Sequence, residues 1–144
     1  MEIPEEVIIM GSIKQGTIYY FQEASFFSNE PHYFVVLNKS PQTNSYVYLV
    51  NATSQIEKSL LRVGIMKVPQ CTLVTTDPLE CNFLRKKSAF DCNCISKKTI
   101  NELIRLVEER KLLLKGEVPA SLLEKLLTAT KQSPLVEQRV KNAI

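Results

Sequence analysis

Two short stretches of the 144-residue chain gather side chains that can move a proton or hold an anion. The first, Ser28-Asn-Glu-Pro-His32, carries the only histidine, set behind a loop-ending proline at the entrance of an apolar run. An imidazole there can act as acid or base, although a lone histidine is more often simply solvated or satisfied in a core. The second, Asn51-Ala-Thr-Ser-Gln55, sets the hydroxyls of Thr53 and Ser54 just after another apolar run. Such hydroxyls can donate to a phosphate oxygen or position a nucleophile, and they are also ordinary turn chemistry. Both stretches fall at the ends of expected strands, where a scaffold presents side chains to a ligand.

The commoner signatures are missing. The chain contains no Walker loop, GxGxxG, HExxH or GxSxG, so the chemistry available is not that of the P-loop, dinucleotide, zinc-protease or serine-hydrolase sites. Cys71, Cys81, Cys92 and Cys94 follow a C-x9-C-x10-C-x-C spacing without the CxxC knuckle of tetrahedral zinc sites, so reduced thiols buried in strands are expected and no metal or other cofactor. Residues 1–95 hold eight Lys/Arg against nine Asp/Glu, and residues 96–144 ten against six, so the net +3 is carried by the second segment. A solvated helix surface accounts for that excess, and it can also help to hold a phosphate backbone. No run approaches the roughly 18 apolar residues of a membrane helix and the N-terminus is acidic, so the chain is expected in the cytoplasm, without a membrane partner.

The elements that must position these residues read as short strands first and helices later. Thr17–Phe21, Tyr33–Asn38 and Tyr46–Asn51 are rich in β-formers and separated by turn residues, with Gln70–Thr75 and Ser88–Asn93 as two further strands. His32-Tyr-Phe-Val-Val-Leu37 is apolar without alternation and is expected to be a central strand buried on both faces. Lys39–Asn44 is the turn of a hairpin. With no helix long enough for a βαβ crossover expected among these strands, antiparallel pairing in a small barrel or strongly curled sheet follows. From Ser96, a helical period runs through Ile100, Leu103, Ile104, Val107 and Leu112–Leu114 to Gly116. Pro119 and Ser121 open a second helix, and Ser133-Pro134 a third. The expectation is one α+β domain over 1–144 with one core, a β body over about 11–95 and a helical tail over about 96–144.

The order Gly-x-Ile-x-x-Gly-x-Ile-Tyr-Tyr-Phe at 11–21, a loop with Pro31, Phe34-Val-Val-Leu-Asn38, Tyr48-Leu-Val-Asn-Ala-Thr-Ser54 and Lys87-Ser-Ala-Phe-Asp-Cys-Asn93 resembles the PemK/MazF group of toxin ribonucleases over roughly residues 11–110. The resemblance implies a small antiparallel SH3-like β-barrel followed by C-terminal helices. It implies metal-independent cleavage of single-stranded RNA and an antitoxin protein as partner, and exposed barrel edges of this kind allow a homodimer. The strand-end Thr/Ser of the group falls on Thr53 and Ser54. Its loop arginine has no counterpart, since this loop reads Glu30-Pro-His-Tyr33 with histidine after the proline. The implied catalytic set is therefore His32, Thr53 and Ser54, with Lys39, Lys58 or Arg62 supplying positive charge to the substrate.

Two other classes stay open. A non-catalytic SH3-like barrel module would bind nucleic acid or a protein through exposed tyrosines, from Tyr19, Tyr20, Tyr33 or Tyr46, beside Lys or Arg. A structural or inhibitory protein would act only through the helical tail. Convergence of His32, Thr53 and Ser54 on one phosphate-sized point favours the enzyme.

Overall fold

The computed structural model describes residues 4–26 and 29–144. Ser28, the first residue of the histidine stretch, and the start of the acidic N-terminus lie outside the described residues. The element order is α1 (Glu5–Ser12), β1 (Thr17–Phe21), β2 (His32–Val36), β3 (Val47–Thr53), α2 (Ile56–Met66), β4 (Leu73–Thr76), β5 (Ser88–Asp91), β6 (Ser96–Lys98), α3 (Ile100–Glu108), β7 (Leu112–Glu117), α4 (Ala120–Gln132) and α5 (Gln138–Ala143). Short 3-10 turns at Pro41–Thr43 and Gln70–Thr72 precede β3 and β4.

The fold is α+β, an antiparallel seven-stranded sheet with helices, in the order β4-β5-β3-β2-β1-β7 with β6 also paired to β3. One edge of β3 is shared, with β6 at Val47–Leu49 and β5 at Ala52–Thr53, which curls the sheet at the end that carries Thr53. β2 is central and buried on both faces, as its unbroken apolar run demands. Phe34 and Val36 pack with Ile9, Ile13, Phe21, Leu49, Leu103 and Leu112 on one side. Val35 and Leu37 pack with Val50, Phe90, Leu122, Leu126 and Val140 on the other. One core was expected; the sheet instead separates two large clusters, and a third, smaller one joins Val63 of α2 to Leu73 and Ala89. The hairpin turn is held by Asn38, whose amide donates to the Tyr46 carbonyl at 2.9 Å and whose Oδ1 accepts from the Tyr48 amide at 2.7 Å.

Several expectations are corrected. A helix, α2, stands between β3 and β4, where none long enough for a crossover was expected. Its Leu60, Leu61, Ile65 and Met66 face solvent, so the chain has no clear core period there. Every pairing is still antiparallel because β5 inserts between β3 and β4 and pairs with both; β3 and β4 therefore run in the same direction, and α2 makes the connection between them past β5. α1 was likewise unread; its Glu5 and Glu6 complement the helix dipole and only Ile9 is buried from it. Ser96 does not cap a helix but begins β6. The cap is Thr99, whose hydroxyl accepts the Glu102 amide while the Glu102 carboxylate accepts the Thr99 amide, a reciprocal box that Ser96 cannot form with Thr99 three residues on.

Residues 96–144 are also not purely a helical tail. Arg110 adopts a left-handed φ of 59°, the helix stops, and Leu112–Glu117 pairs with β1 as an edge strand. Three consecutive leucines look helical after Val107, but only Leu112 is buried; Leu113 and Leu114 are about half exposed, as on an edge strand. The opening at Ser133-Pro134 is a turn, and α5 begins later at Gln138. Ser133 is held instead by donating to Asn93 Oδ1 at 2.5 Å. None of the four cysteines lies within a strand. Cys81 and Cys92 are buried and Cys71 and Cys94 exposed, all four free. Among the described residues no helix is long and apolar enough to cross a membrane.

Candidate nucleic-acid cleft

The entrance of β2, the end of β3 and the loop before β5 meet in an open cleft of about 470 Å³. His32, Thr53 and Ser54 all line it, beside Glu30, Gln55, Tyr20, Tyr33, Arg85, Lys86 and Lys115. The topology explains the meeting. β2 and β3 are antiparallel neighbours, with Phe34 opposite Asn51, so the start of one strand lies beside the end of the other.

Thr53 is the last residue of β3 and pairs with Ala89. Its Oγ1 accepts the Gln55 amide at 3.2 Å. With the oxygen so used, the hydroxyl proton is left for an acceptor in the cleft. Ser54 is exposed, and Gln55 leads into α2, whose first turn has no side-chain cap. His32 is half-buried. Strand alternation puts its ring on the side of Phe34, and it meets Phe26 edge-on at 5.4 Å. Its Nδ1 is buried without a hydrogen-bond partner among the described residues, so no described neighbour fixes its tautomer.

The cations differ from those read in the sequence. Lys39, Lys58 and Arg62 do not line this cleft. Lys39 lies in the hairpin turn, where its amide bonds the Ala143 carbonyl. Lys58 is on the exposed side of α2, and the Arg62 guanidinium, one turn on, is 3.5 Å from Asp91. In their place stand Arg85 and Lys86, from the loop before β5, and Lys115 on β7. All three are exposed, and no carboxylate of the described residues lies within ion-pair distance of them. The Arg85-Lys86-Lys87 triplet is visible in the sequence as a charge cluster, but only folding brings its first two residues into one cleft with Thr53. Lys115 was concealed by the helical reading of its strand.

Two tyrosines of an aromatic row line the cleft. Tyr20 and Tyr33 are directly opposed on β1 and β2, with ring centroids 4.5 Å apart. Phe83 lies 5.1 Å beyond Tyr33, and the Lys115 ammonium stands 5.6 Å from the centre of the Tyr20 ring. Tyr46 is elsewhere, under Lys97 at 4.9 Å. Tyr19 is fully buried with its hydroxyl 2.8 Å from Ser12 Oγ; burial pushes that phenol up to about 12, against the hydrogen bond to Ser12.

The chain matches no protein-family model and no curated protein. Solved structures do share its fold. A mycobacterial chain described as an endoribonuclease in complex with its cognate antitoxin aligns over 83% of this chain and 91% of its own, at 15% identity and a TM-score of 0.51. A chain from the MazE-MazF complex of Deinococcus radiodurans aligns over 83% of this chain and 94% of its own, at 10% identity and a TM-score of 0.53. The likeness is one of fold.

Proposed function

We propose that this chain is the toxin of a toxin-antitoxin pair and cuts single-stranded RNA in the cleft without a metal. The observation that carries this is the presence, in one cleft, of the Thr53 hydroxyl, His32 and three cations, Arg85, Lys86 and Lys115, for which the described residues supply no ion-paired carboxylate. The fold shared with a chain described as an endoribonuclease bound to its antitoxin supports it.

The chemistry uses the nucleophile that RNA carries itself. The 2′-oxygen attacks the adjacent phosphorus, the bond from phosphorus to the 5′-oxygen breaks, and the products are a 2′,3′-cyclic phosphate and a 5′-hydroxyl. His32 takes the 2′-hydroxyl proton, and a cleft lysine gives one to the departing 5′-oxygen. Arg85 and the Thr53 hydroxyl bind the non-bridging oxygens, whose charge grows in the transition state. Ser54 offers a second hydroxyl to the same phosphate. An antitoxin that covers the cleft with carboxylates would match the three cations, and the open outer edge of β7 offers a second copy of the chain a strand to pair with.

The test is induced expression in a bacterial host, with growth and total RNA followed for wild type, His32→Ala and Thr53→Ala at matched protein levels. Growth arrest with RNA cleavage in the wild type, and loss of both in either variant, is expected. Removing a donor of this kind costs about 100- to 1,000-fold in rate. A wild type that is harmless and leaves RNA intact refutes catalysis. A second assignment, a non-catalytic RNA-binding module, is favoured by one observation: the His32 ring packs against Phe26 with no described partner on Nδ1 to orient it. RNA bound but uncut by the pure protein would select it.

A further inference from the structure

We infer that Tyr20 is the floor of a nucleobase subsite beside the scissile phosphate, with Lys115 as its phosphate clamp, so that the cleft selects RNA in which one base is unpaired and free to stack. This rests on the RNA-cleft assignment above and names how the substrate is held there.

Half-buried aromatic side chains in a cationic cleft call for an occupant with both a flat apolar face and negative charge, which a nucleotide has. The row Phe83, Tyr33, Tyr20 ends at Tyr20. Tyr33 is enclosed, with Phe83 at 5.1 Å and Tyr20 at 4.5 Å. β1 lies between β2 and β7, so Tyr33 and Lys115 reach the Tyr20 ring from opposite sides. On the β7 side stands the exposed ammonium of Lys115, 5.6 Å from the ring centre, with Leu113 directly opposite Tyr20 in the β1-β7 register and 53% exposed. An exposed cation over a ring is weakly held. A base can take its place on Tyr20 and Leu113 while the flexible lysine swings to the neighbouring phosphate, so both contacts improve when RNA arrives. A paired base within a duplex has no face to offer without being pulled from its stack.

The test measures Kd by fluorescence anisotropy with two probes. One is a mixed-sequence 2′-O-methyl oligoribonucleotide, which binds but lacks the attacking hydroxyl. The other is an abasic phosphodiester oligomer of the same length. Wild type, Tyr20→Phe, Tyr20→Ala and Tyr20→Leu are compared. Tyr20→Phe should hold the base-bearing probe as tightly as wild type, whereas Tyr20→Ala and Tyr20→Leu should bind it about 5- to 150-fold more weakly, the range for loss of one stacked base. Binding of the abasic oligomer should be the same in all four. Equal affinity of all variants for the base-bearing probe overturns the subsite, as does an equal loss on both probes, which is the signature of a damaged fold. Failure of the wild type to bind either probe refutes the RNA assignment itself, a result distinct from the other two.

Discussion

If the cleft holds RNA as proposed, its three cations set the salt dependence of that binding. Each cation that neutralises a phosphate of single-stranded RNA contributes about 0.7 to the slope of log K against log salt, so Arg85, Lys86 and Lys115 acting together give a slope near −2.1. Between 50 and 200 mM salt the affinity should then fall about 18-fold. The double variant Arg85→Ala/Lys86→Ala leaves one contact, a slope of about −0.7 and a loss of only about 2.6-fold over the same range. The matched control is Lys58→Ala/Arg62→Ala, which removes the same charge from α2, outside the cleft and partly committed to Asp91. It should leave the slope unchanged. Anisotropy titrations of a fluorescent, uncleavable single-stranded oligonucleotide at four salt concentrations measure all three slopes. A slope that survives loss of Arg85 and Lys86 but flattens on loss of Lys58 and Arg62 would refute the placement of substrate in this cleft.

Other outcomes follow from packing and charge. Glu23 is buried and ion-paired with Lys98 at 2.8 Å; burial opposes its ionisation, but Lys98 and the Ser25 amide more than offset that and hold its carboxyl below the usual range. Its stabilisation is therefore complete above the unfolded carboxylate pKa and disappears as pH falls through the lower folded value; Glu23→Gln should cost about 1–3 kcal/mol at pH 7 in urea unfolding, and the difference from wild type should shrink in acid. Thr99→Ala removes the capping box of α3 and should cost about 1 kcal/mol, read by thermal unfolding. Gly16 sits at φ +95° with its missing Cβ 3.2 Å from Leu123 Cδ2, so Gly16→Ala should lower stability by about 1–3 kcal/mol. Burial pushes the Cys81 and Cys92 thiols up to about 12, so a thiol reagent at pH 8 should label exposed Cys71 quickly and reach Cys81 and Cys92 only on unfolding.

Much of the sheet was legible because its signals are local. The Thr17–Phe21, His32–Leu37 and Tyr46–Asn51 runs are β-rich and bounded by turn residues, and a run apolar at every position has to be covered on both faces. The meeting of His32 with Thr53 and Ser54 in one cleft also follows from sequence order, since a hairpin brings the start of one strand beside the end of the next. The aromatic row was legible only as a set of alternatives, because β alternation sends Tyr19 inward and Tyr20 to the cleft, and period alone does not say which face is covered.

What the tertiary structure decided is everything that depends on partners distant in the chain. Leu112-Leu-Leu114 fits a helix as well as a strand, and the open edge of β1 made it a strand. α2 carries its apolar residues outward, so no core period announced it. The cationic side of the cleft was misread for the same reason. Lys39, Lys58 and Arg62 are near Thr53 in sequence, whereas Arg85, Lys86 and Lys115 arrive from a loop and a strand that only the β3-β5 and β1-β7 pairings carry to the same place. A sequence states which charges and hydroxyls a chain owns; which of them share a cleft is fixed by long-range pairing, whose stability comes from burial on both faces of the sheet.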